Sequence, residues 1–149
     1  MTIYLGADHR GFALKEVFKR TLTEQGMSVV DVGAEKIDPL DDYPDYAALV
    51  GQKVQENPQD KGIVFCSNGV GVNIVANKIK GVRSVLGFSV QQVTAARSDD
   101  NCNVLALPAE YISEEEAKAI VNTFLQTEFK SEEKYQRRID KISHIEQTQ

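Results

Sequence analysis

Short apolar runs alternate with amphipathic stretches along the chain. Runs rich in β-branched and aliphatic residues predict strands, whereas apolar residues spaced three and four apart predict helices. Residues 63–66 are continuously apolar, as expected of a strand buried on both faces of a sheet. Apolar residues recur at helical spacing from Phe12 to Leu22, and Gly26 ends that helix. The predicted strands are residues 3–6, 27–32, 63–66, 82–88 and 103–107.

The starts of the other helices are marked by proline and by capping residues. Pro44 stands at a first-turn position, and a helix over about 71–78 follows the third predicted strand. Ser89 and Ser113 each precede a Gln or Glu by three residues, which is the pattern of a capping box. The charged segment from Ser131 onward is also predicted to be helical. Its expected contact points are Tyr135, Ile139 and Ile142.

Strands and helices alternate five times, which predicts an α/β fold for residues 1–149 as a single domain. The expected architecture is a five-stranded parallel sheet with helices on both faces and a C-terminal helix. Sheets of this kind bind ligands at the carboxyl ends of their strands. Segments 6–9 and 66–69, which follow the first and third predicted strands, are therefore where we expect chemistry.

Composition narrows the functional class. The net charge of −5 argues against a nucleic-acid binder, although a local cluster of donors can still hold an anionic substrate. Cys66 and Cys102 show no disulfide pattern. The chain begins with too short an apolar run for a signal peptide, and no stretch approaches the ~20 apolar residues of a membrane span. We therefore expect a cytoplasmic protein that has no membrane partner.

The turn after the third predicted strand, residues 66–71, carries the strongest chemical signal. Gly69 and Gly71 let the backbone bend and let a ligand approach it closely. The amides of the turn and the following helix start favour an anion, and the thiolate of Cys66 is expected to be such an anion. A thiolate beside amide donors is suited to abstracting a proton next to a carbonyl, because the donors hold the developing enediolate.

Two other interpretations of this turn stay open. Cys66 could be a buried structural cysteine, since free cysteine often behaves as a small hydrophobe. The turn could also be compared with a dinucleotide-binding fingerprint. That match is poor, because the turn follows the third strand and Ile74 stands where the last glycine belongs.

Asp8 and His9 follow the first predicted strand. A carboxylate beside an imidazole could bind sugar hydroxyls and move a proton during ring opening. The simpler interpretation is that Asp8 is a helix cap.

Near the C-terminus, Lys134 and Arg137 belong to a basic run that could bind a phosphate. The usual meaning of such a run is a solvated helix face.

Taken together, these motifs resemble the ribose-5-phosphate isomerase B and galactose-6-phosphate isomerase (RpiB/LacAB) family over essentially the whole chain. Several separate segments match in order and with the family's spacing. They are GADHRGF (6–12), DYPD (42–45), GIVFC (62–66), GVG (69–71), ANK (76–78), GVR (81–83) and NVLAL (103–107).

The resemblance implies a Rossmann-like three-layer fold and a homodimer, possibly paired into a tetramer, with the active site at the dimer interface. It also implies isomerisation through an enediol without a metal or another cofactor. The implied catalytic residues are Cys66 as the base, Asn68, His9 and Asp99. The implied substrate-binding residues are Asp8, His9, Tyr43, Ser67, Asn68, Gly69, Val70, Gly71, Asp100, Lys134 and Arg137. Arg137 is expected to reach the phosphate from the partner subunit. Asp99 and Asp100 precede the fifth strand and so lie at the wrong edge for their own subunit's site, but a neighbouring chain could present them to the other subunit's site.

Three positions depart from the family's pattern. Asn68 replaces a threonine in the turn after Cys66, Asp99 replaces the histidine usually assigned to ring opening, and Glu133 replaces a phosphate arginine. Ring opening could then depend on burial of Asp99 against Asp100, which would raise one of their apparent pKa values. Alternatively, His9 supplies the proton, and we expect this second route because it needs no unusual shift.

We therefore expect an aldose–ketose isomerase of a phosphorylated sugar, with ribose 5-phosphate as the default substrate. The alternatives are the same chemistry on a tetrose or hexose phosphate, or a non-catalytic homologue that binds a sugar phosphate. Retention of Cys66, Asp8, His9 and the glycines of the turn favours an enzyme.

Overall fold

A computed structural model describes residues 1–148. Strands and helices alternate along this part of the chain until two consecutive helices end it. In chain order they are β1 (Thr2–Ala7), α1 (Phe12–Glu24), β2 (Ser28–Asp31), α2 (Tyr43–Glu56), β3 (Lys61–Cys66), α3 (Val70–Ala76), β4 (Ser84–Leu86), α4 (Val90–Asp100), β5 (Val104–Pro108), α5 (Glu114–Gln126) and α6 (Glu133–Gln147).

The five strands form one parallel sheet in the order β2-β1-β3-β5-β4. This confirms the expected five-stranded α/β fold. From β1 the chain first adds β2 on one side and then returns to add β3 on the other. The loops that leave β1 and β3 therefore diverge, and a crevice forms between them at the carboxyl edge of the sheet.

Helices cover both faces of the sheet and make a three-layer sandwich. Along β3 the side chains alternate: Ile63 and Phe65 pack with α1, α4 and α5, whereas Val64 and Cys66 pack with α2 and α3. The final helix, α6, packs against α4 and buries Ile139 as predicted. Cys66 consequently ends its strand on the same face as α3, the helix that its own turn begins.

Two local predictions need correction. β4 is three residues long instead of spanning residues 82–88, because this edge strand pairs with β5 only from Ser84 to Leu86. The capping box at Ser89 is half formed: its Oγ accepts from the Gln92 N–H, but the Gln92 side chain donates to the carbonyl of Leu86. The box at Ser113 is complete, because Glu116 returns the hydrogen bond.

None of the helices in residues 1–148 is both long enough and apolar enough to cross a membrane.

A fully buried lysine joins α1 to the end of β2. The Lys15 ammonium donates to the carboxylate of Asp31 and, over 3.0 Å, to the carbonyl of Ala34. Burial would raise the pKa of Asp31, but hydrogen bonds from Lys15 and the exposed Lys19 hold that pKa below its ordinary value. The pair thereby fixes the start of the long loop between β2 and α2.

We predict that Lys15→Met lowers the free energy of unfolding by about 3 kcal/mol, because the largely shielded Asp31 carboxylate loses its fully buried partner. Lys19→Met is the matched control: it removes an exposed partner of the same Asp31 and should cost at most about 1 kcal/mol. Because the Asp31 pKa is lowered on folding, its stabilisation is complete above pH ~4 and is lost as the pH falls through the folded-state pKa. Urea unfolding between pH 2 and 7 measures these effects, and equal losses in the two variants would contradict the prediction.

Candidate active site

A cavity of about 390 Å³ opens at the crevice between the loops after β1 and β3. All of its lining residues except Arg10 and Ile74 were expected from the sequence. The lining residues are Asp8, Arg10, Tyr43, Cys66, Ser67, Asn68, Val70, Gly71 and Ile74. A larger groove of about 900 Å³ lies elsewhere, between α4, α6 and the segment that leads into β4, and it contains neither Cys66 nor His9.

Strand register brings the two predicted segments together. The last pairs between β1 and β3 are Gly6 with Val64 and Ala7 with Phe65. Asp8 and Cys66 are the next residues on the two strands, so the two turns that carry chemistry begin side by side. Residues that are 58 positions apart in sequence thus share one cavity.

The turn after Cys66 depends on its two glycines. Gly69 has a φ of +73°, and its N–H donates to the Cys66 Sγ over 3.2 Å. A Cβ on Gly71 would lie 2.5 Å from the Tyr43 ring, so this position must be glycine for Tyr43 to pack there. The Asn68 Oδ1 accepts from the Val70 amide over 3.0 Å, which leaves the Asn68 Nδ2 as a donor for a ligand.

The two cysteines differ in their surroundings. Cys66 is only 5% exposed, as the structural interpretation requires, yet it lines the cavity and receives an amide hydrogen bond. Burial raises the pKa of Cys102 to about 11. Cys102 therefore stays a neutral thiol at physiological pH, and Cys66 is the cysteine placed for chemistry.

Asp8 is not the cap of α1, because that helix begins after Gly11, which has no side chain to cap it. The Asp8 Oδ1 instead accepts from the backbone N–H groups of Arg10 and Gly11 and so fixes the turn that leads into the helix. The side chain is nonetheless part of the cavity wall. The second oxygen is therefore the one that can meet a ligand.

His9 is held by a carboxylate that the sequence did not single out. Its Nδ1 lies 2.6 Å from the Asp41 Oδ1, and the same oxygen accepts from the His9 backbone N–H over 3.0 Å. The side chains are 26% and 8% exposed, so the pair is largely shielded from water. Burial would raise the Asp41 pKa, but hydrogen bonds from His9 and the nearby Tyr46 hydroxyl hold that pKa below its ordinary value.

A second carboxylate ties three loops together. Glu110, just after β5, accepts two hydrogen bonds from the Arg10 guanidinium over 2.8 and 2.7 Å and one from the Ser67 hydroxyl over 2.7 Å. These bonds, from Arg10 first and then Ser67, lower the pKa of Glu110 to about 2. The loops after β1, β3 and β5 are thus joined at the mouth of the cavity, and they stay joined at any physiological pH.

The family model described as Ribose/Galactose Isomerase matches residues 3–142. The chain belongs to the ribose/galactose isomerase family. It is 41% identical over 140 residues to the probable ribose-5-phosphate isomerase B of Mycoplasma pneumoniae, covering 94% of this chain and 91% of that protein. It is 36% identical over 148 residues to ribose-5-phosphate isomerase B of Mycobacterium tuberculosis, covering 99% of this chain and 91% of that protein.

Solved structures of the ribose/galactose isomerase family agree with the fold. Ribose-5-phosphate isomerase B from Mycoplasma genitalium, with bound ribulose 5-phosphate, superposes with a TM-score of 0.95 at 41% identity and covers 99% of this chain and 97% of that one. The enzyme from Thermotoga maritima gives a TM-score of 0.90 at 40% identity, with 96% and 97% covered. The Rossmann-like fold expected from the resemblance is therefore confirmed.

Of the three departures from the family's pattern, Asn68 lines the cavity, whereas Asp99 and Glu133 lie away from it. Asp99 and Asp100 end α4, which leads into β5 and so lies at the amino edge of the sheet. Lys134 and Arg137 lie on α6, where they pair with Glu132 and Glu133. A single chain does not bring these residues to Cys66, and the expectation that they serve a partner stays a prediction.

The proposed burial of Asp99 against Asp100 is wrong for the single chain. A hydrogen bond from the Ser98 hydroxyl, together with one from Lys130, lowers the pKa of Asp99. Asp99 is therefore a charged acceptor at neutral pH. In the single chain this favours the route to ring opening through His9.

Proposed function

We propose that the chain interconverts ribose 5-phosphate and ribulose 5-phosphate, with Cys66 as the base that moves a proton between C2 and C1. Membership of the ribose/galactose isomerase family makes the chain a sugar-phosphate isomerase. The relatives named ribose-5-phosphate isomerase B support ribose 5-phosphate as the substrate. The observation that carries the mechanism is the position of the Cys66 Sγ, on the cavity wall and hydrogen-bonded to the Gly69 amide.

The turn around Cys66 supplies the parts that enediol chemistry needs. The thiolate takes the C2 proton of the open-chain aldose and the C1–C2 enediolate forms. A proton then passes from the oxygen on C2 to the oxygen on C1, and the proton held by Cys66 is returned to C1, which leaves the carbonyl at C2. Negative charge develops on the oxygens at C1 and C2 during this transfer. The Gly69 and Val70 amides already bond to Cys66 and Asn68. The proposed donors to those oxygens are therefore the Asn68 Nδ2 and the other amides of the turn, which would stabilise the charged intermediate selectively.

The substrate's phosphate requires a cation, and the cation that a single chain provides at the cavity is already paired with a carboxylate. Arg10 is the one cation that lines the cavity within residues 1–148, and Glu110 balances its charge through two hydrogen bonds. We propose that Arg137 of a second subunit supplies the phosphate contact, with Lys134, Asp99 and Asp100 presented from the same side. That grouping is supported by Lys130, which bonds to Asp99 on α4 and stacks on Tyr135 of α6, so that the ends of the two helices form one patch.

The larger groove supports a homodimer. It is bordered by α4 and α6, the elements expected to face a partner, and Asp100 is one of its lining residues. Phe88 and Ile145, also in its lining, are 67% and 55% exposed. Large apolar side chains gathered in one groove are typical of a protein–protein contact, and we propose a second copy of this chain as its occupant.

Two departures from the family's sequence pattern define the competing substrates and functions. Asn68 and Asp99 differ from the family's pattern at contact positions, so a tetrose or hexose phosphate is the competing substrate, and loss of turnover with retained binding is the competing function. A panel of aldose phosphates, with hydroxamates that mimic the enediol as binding probes, separates the three cases.

We further propose a single domain over residues 1–149 and a cytoplasmic location. One sheet carries every strand of the described chain, and Gln149 lies outside the described residues. Cys66 and Cys102 are both unpaired, which suits a reducing compartment.

We predict that Cys66→Ala abolishes isomerisation while the fold and the dimer persist, because loss of a general base costs about 10²–10⁴-fold. Cys66→Ser should also be severely impaired, since a hydroxyl is far less acidic than a thiol. Cys102→Ser is the matched control and should keep most of the activity, because Cys102 lies outside the cavity. Turnover rates, with circular dichroism and sedimentation as folding checks, test this; near-normal turnover in Cys66→Ala would exclude Cys66 as the base.

We predict that Arg137→Ala raises KM more than it lowers kcat, since the phosphate is bound equally in the ground state and in the transition state. Co-expression of Arg137→Ala and Cys66→Ala subunits tests the shared site. If each cavity takes its arginine from the other subunit, the mixed dimer regains one intact site. A verified mixed dimer without activity would place Cys66 and Arg137 in the same subunit's site.

We predict that His9→Ala slows a ring-forming pentose phosphate much more than a tetrose phosphate, which cannot close a ring through its phosphorylated carbon. The reason is that His9 is the imidazole beside the cavity, whereas the lowered pKa of Asp99 makes that group a poor proton donor. Asp99→Asn should change the pentose-to-tetrose rate ratio less. The opposite pattern, with Asp99→Asn selective for the pentose, would assign ring opening to Asp99.

A further inference from the structure

The loop between β2 and α2 places the carboxylate of Asp41 beside the His9 ring. The Asp41 Oδ1 lies 2.6 Å from the His9 Nδ1 and also accepts the His9 backbone N–H. The Asp41 Oδ2 is buried and has no well-formed hydrogen bond among residues 1–148, although the Tyr46 hydroxyl lies near enough to favour the charged carboxylate. A buried carboxylate directed at one ring nitrogen fixes both the orientation of an imidazole and the position of its proton.

We propose that Asp41 is a positioning residue for substrate ring opening: it keeps the proton on the His9 Nδ1 and leaves Nε2 to exchange a proton with the sugar. This inference rests on the proposed isomerase function. In the reaction the bond between C1 and the ring oxygen breaks, the ring oxygen gains a proton, and the C1 hydroxyl loses one to give the aldehyde. Nε2 donates when the ring is doubly protonated and accepts when it is neutral, so one nitrogen serves both directions.

The surroundings of the ring fit this role. His9 directly follows Asp8, which lines the cavity, although His9 is not itself among the lining residues. Glu110, at the cavity mouth, is close enough to His9 for the positive charge of the ring to help lower the Glu110 pKa. The His9 ring thus stands next to the cavity, with one of its nitrogens on Asp41.

The same three side chains could be taken for a metal site, since ligand atoms of Asp8, His9 and Asp41 lie within 4.8 Å of one another. The distance between Nδ1 and Oδ1 argues against this. Two donors bound to one ion at ~2.1 Å stand about 3 Å apart, whereas 2.6 Å is a charge-assisted hydrogen bond. The geometry points to a proton between His9 and Asp41.

The experiment is Asp41→Asn, which keeps an acceptor for the His9 backbone N–H but removes the charge. Asp38→Asn is the matched control, because Asp38 is an exposed carboxylate in the same loop whose side chain bonds to the Leu40 amide. Long-range ¹H–¹⁵N spectra report which imidazole nitrogen carries the proton. The chain has one other histidine, His144, which is exposed and serves as an internal reference.

We expect the wild-type His9 ring to carry its proton on Nδ1, and Asp41→Asn to shift it toward Nε2 while the His144 signals stay unchanged. The pentose-to-tetrose rate ratio should fall about tenfold or more in Asp41→Asn, in keeping with lost acid–base assistance, and should not change in Asp38→Asn. An unaltered proton position, or an unaltered ratio, would overturn the proposal. So would Zn²⁺ binding that is lost in Asp41→Asn together with loss of wild-type activity in a chelator.

Failure of the proposed function gives a different result. Wild-type protein without turnover on any sugar phosphate would count against the isomerase. The imidazole spectra would still decide whether Asp41 sets the proton of His9, because that readout needs no substrate.

Discussion

The site depends on the parallel pairing of β1 with β3. That register ends at Ala7 opposite Phe65, so Asp8 and Cys66 start adjacent turns at the point where the chain reverses its direction of sheet growth. A shift of one residue in β3 would turn Cys66 to the opposite face of the sheet. Cys66 would then point away from α3 and from the Gly69 amide, whose hydrogen bond it accepts. The apolar alternation of β3 against helices on both faces makes such a shift costly, and so the packing of the core holds the chemical groups in place.

Polar contacts then build outward from this pairing. Glu110 joins the loops after β1, β3 and β5 through Arg10 and Ser67. On the other side, the buried Lys15 binds Asp31 and the Ala34 carbonyl, which anchors the beginning of the loop that ends at Asp41. The loop is therefore held near its start by Lys15 and near its end by the contact between Asp41 and His9. Rigid elements position the first contacts with a ligand, and charged groups behind them restrict how those contacts can move.

Features that depend on residues close together in sequence were predictable, whereas features that depend on contacts between distant residues were not. The rule that ligands bind at the carboxyl edge found Asp8, Cys66 and the turn that follows it, since these positions depend only on which strand ends where. Glu110 also follows a strand at that edge, but an acidic residue after a strand has no chemical signature until Arg10 and Ser67 are beside it. Asp41 lies in a polar loop without periodicity, and only folding shows that this loop returns to His9.

By itself, the sequence determined the class of fold, the order and nature of most of its elements, and the glycine turn that follows a cysteine. These features arise from local periodicity, capping and turn chemistry, which act within a few residues. Only the tertiary structure decided the strand order that makes the crevice, the short edge strand β4, and the carboxylates that hold His9 and Arg10. It also placed Asp99 and Arg137 away from the cavity of their own chain. Such features depend on contacts between residues distant in sequence, whose partners are settled by packing of the whole core.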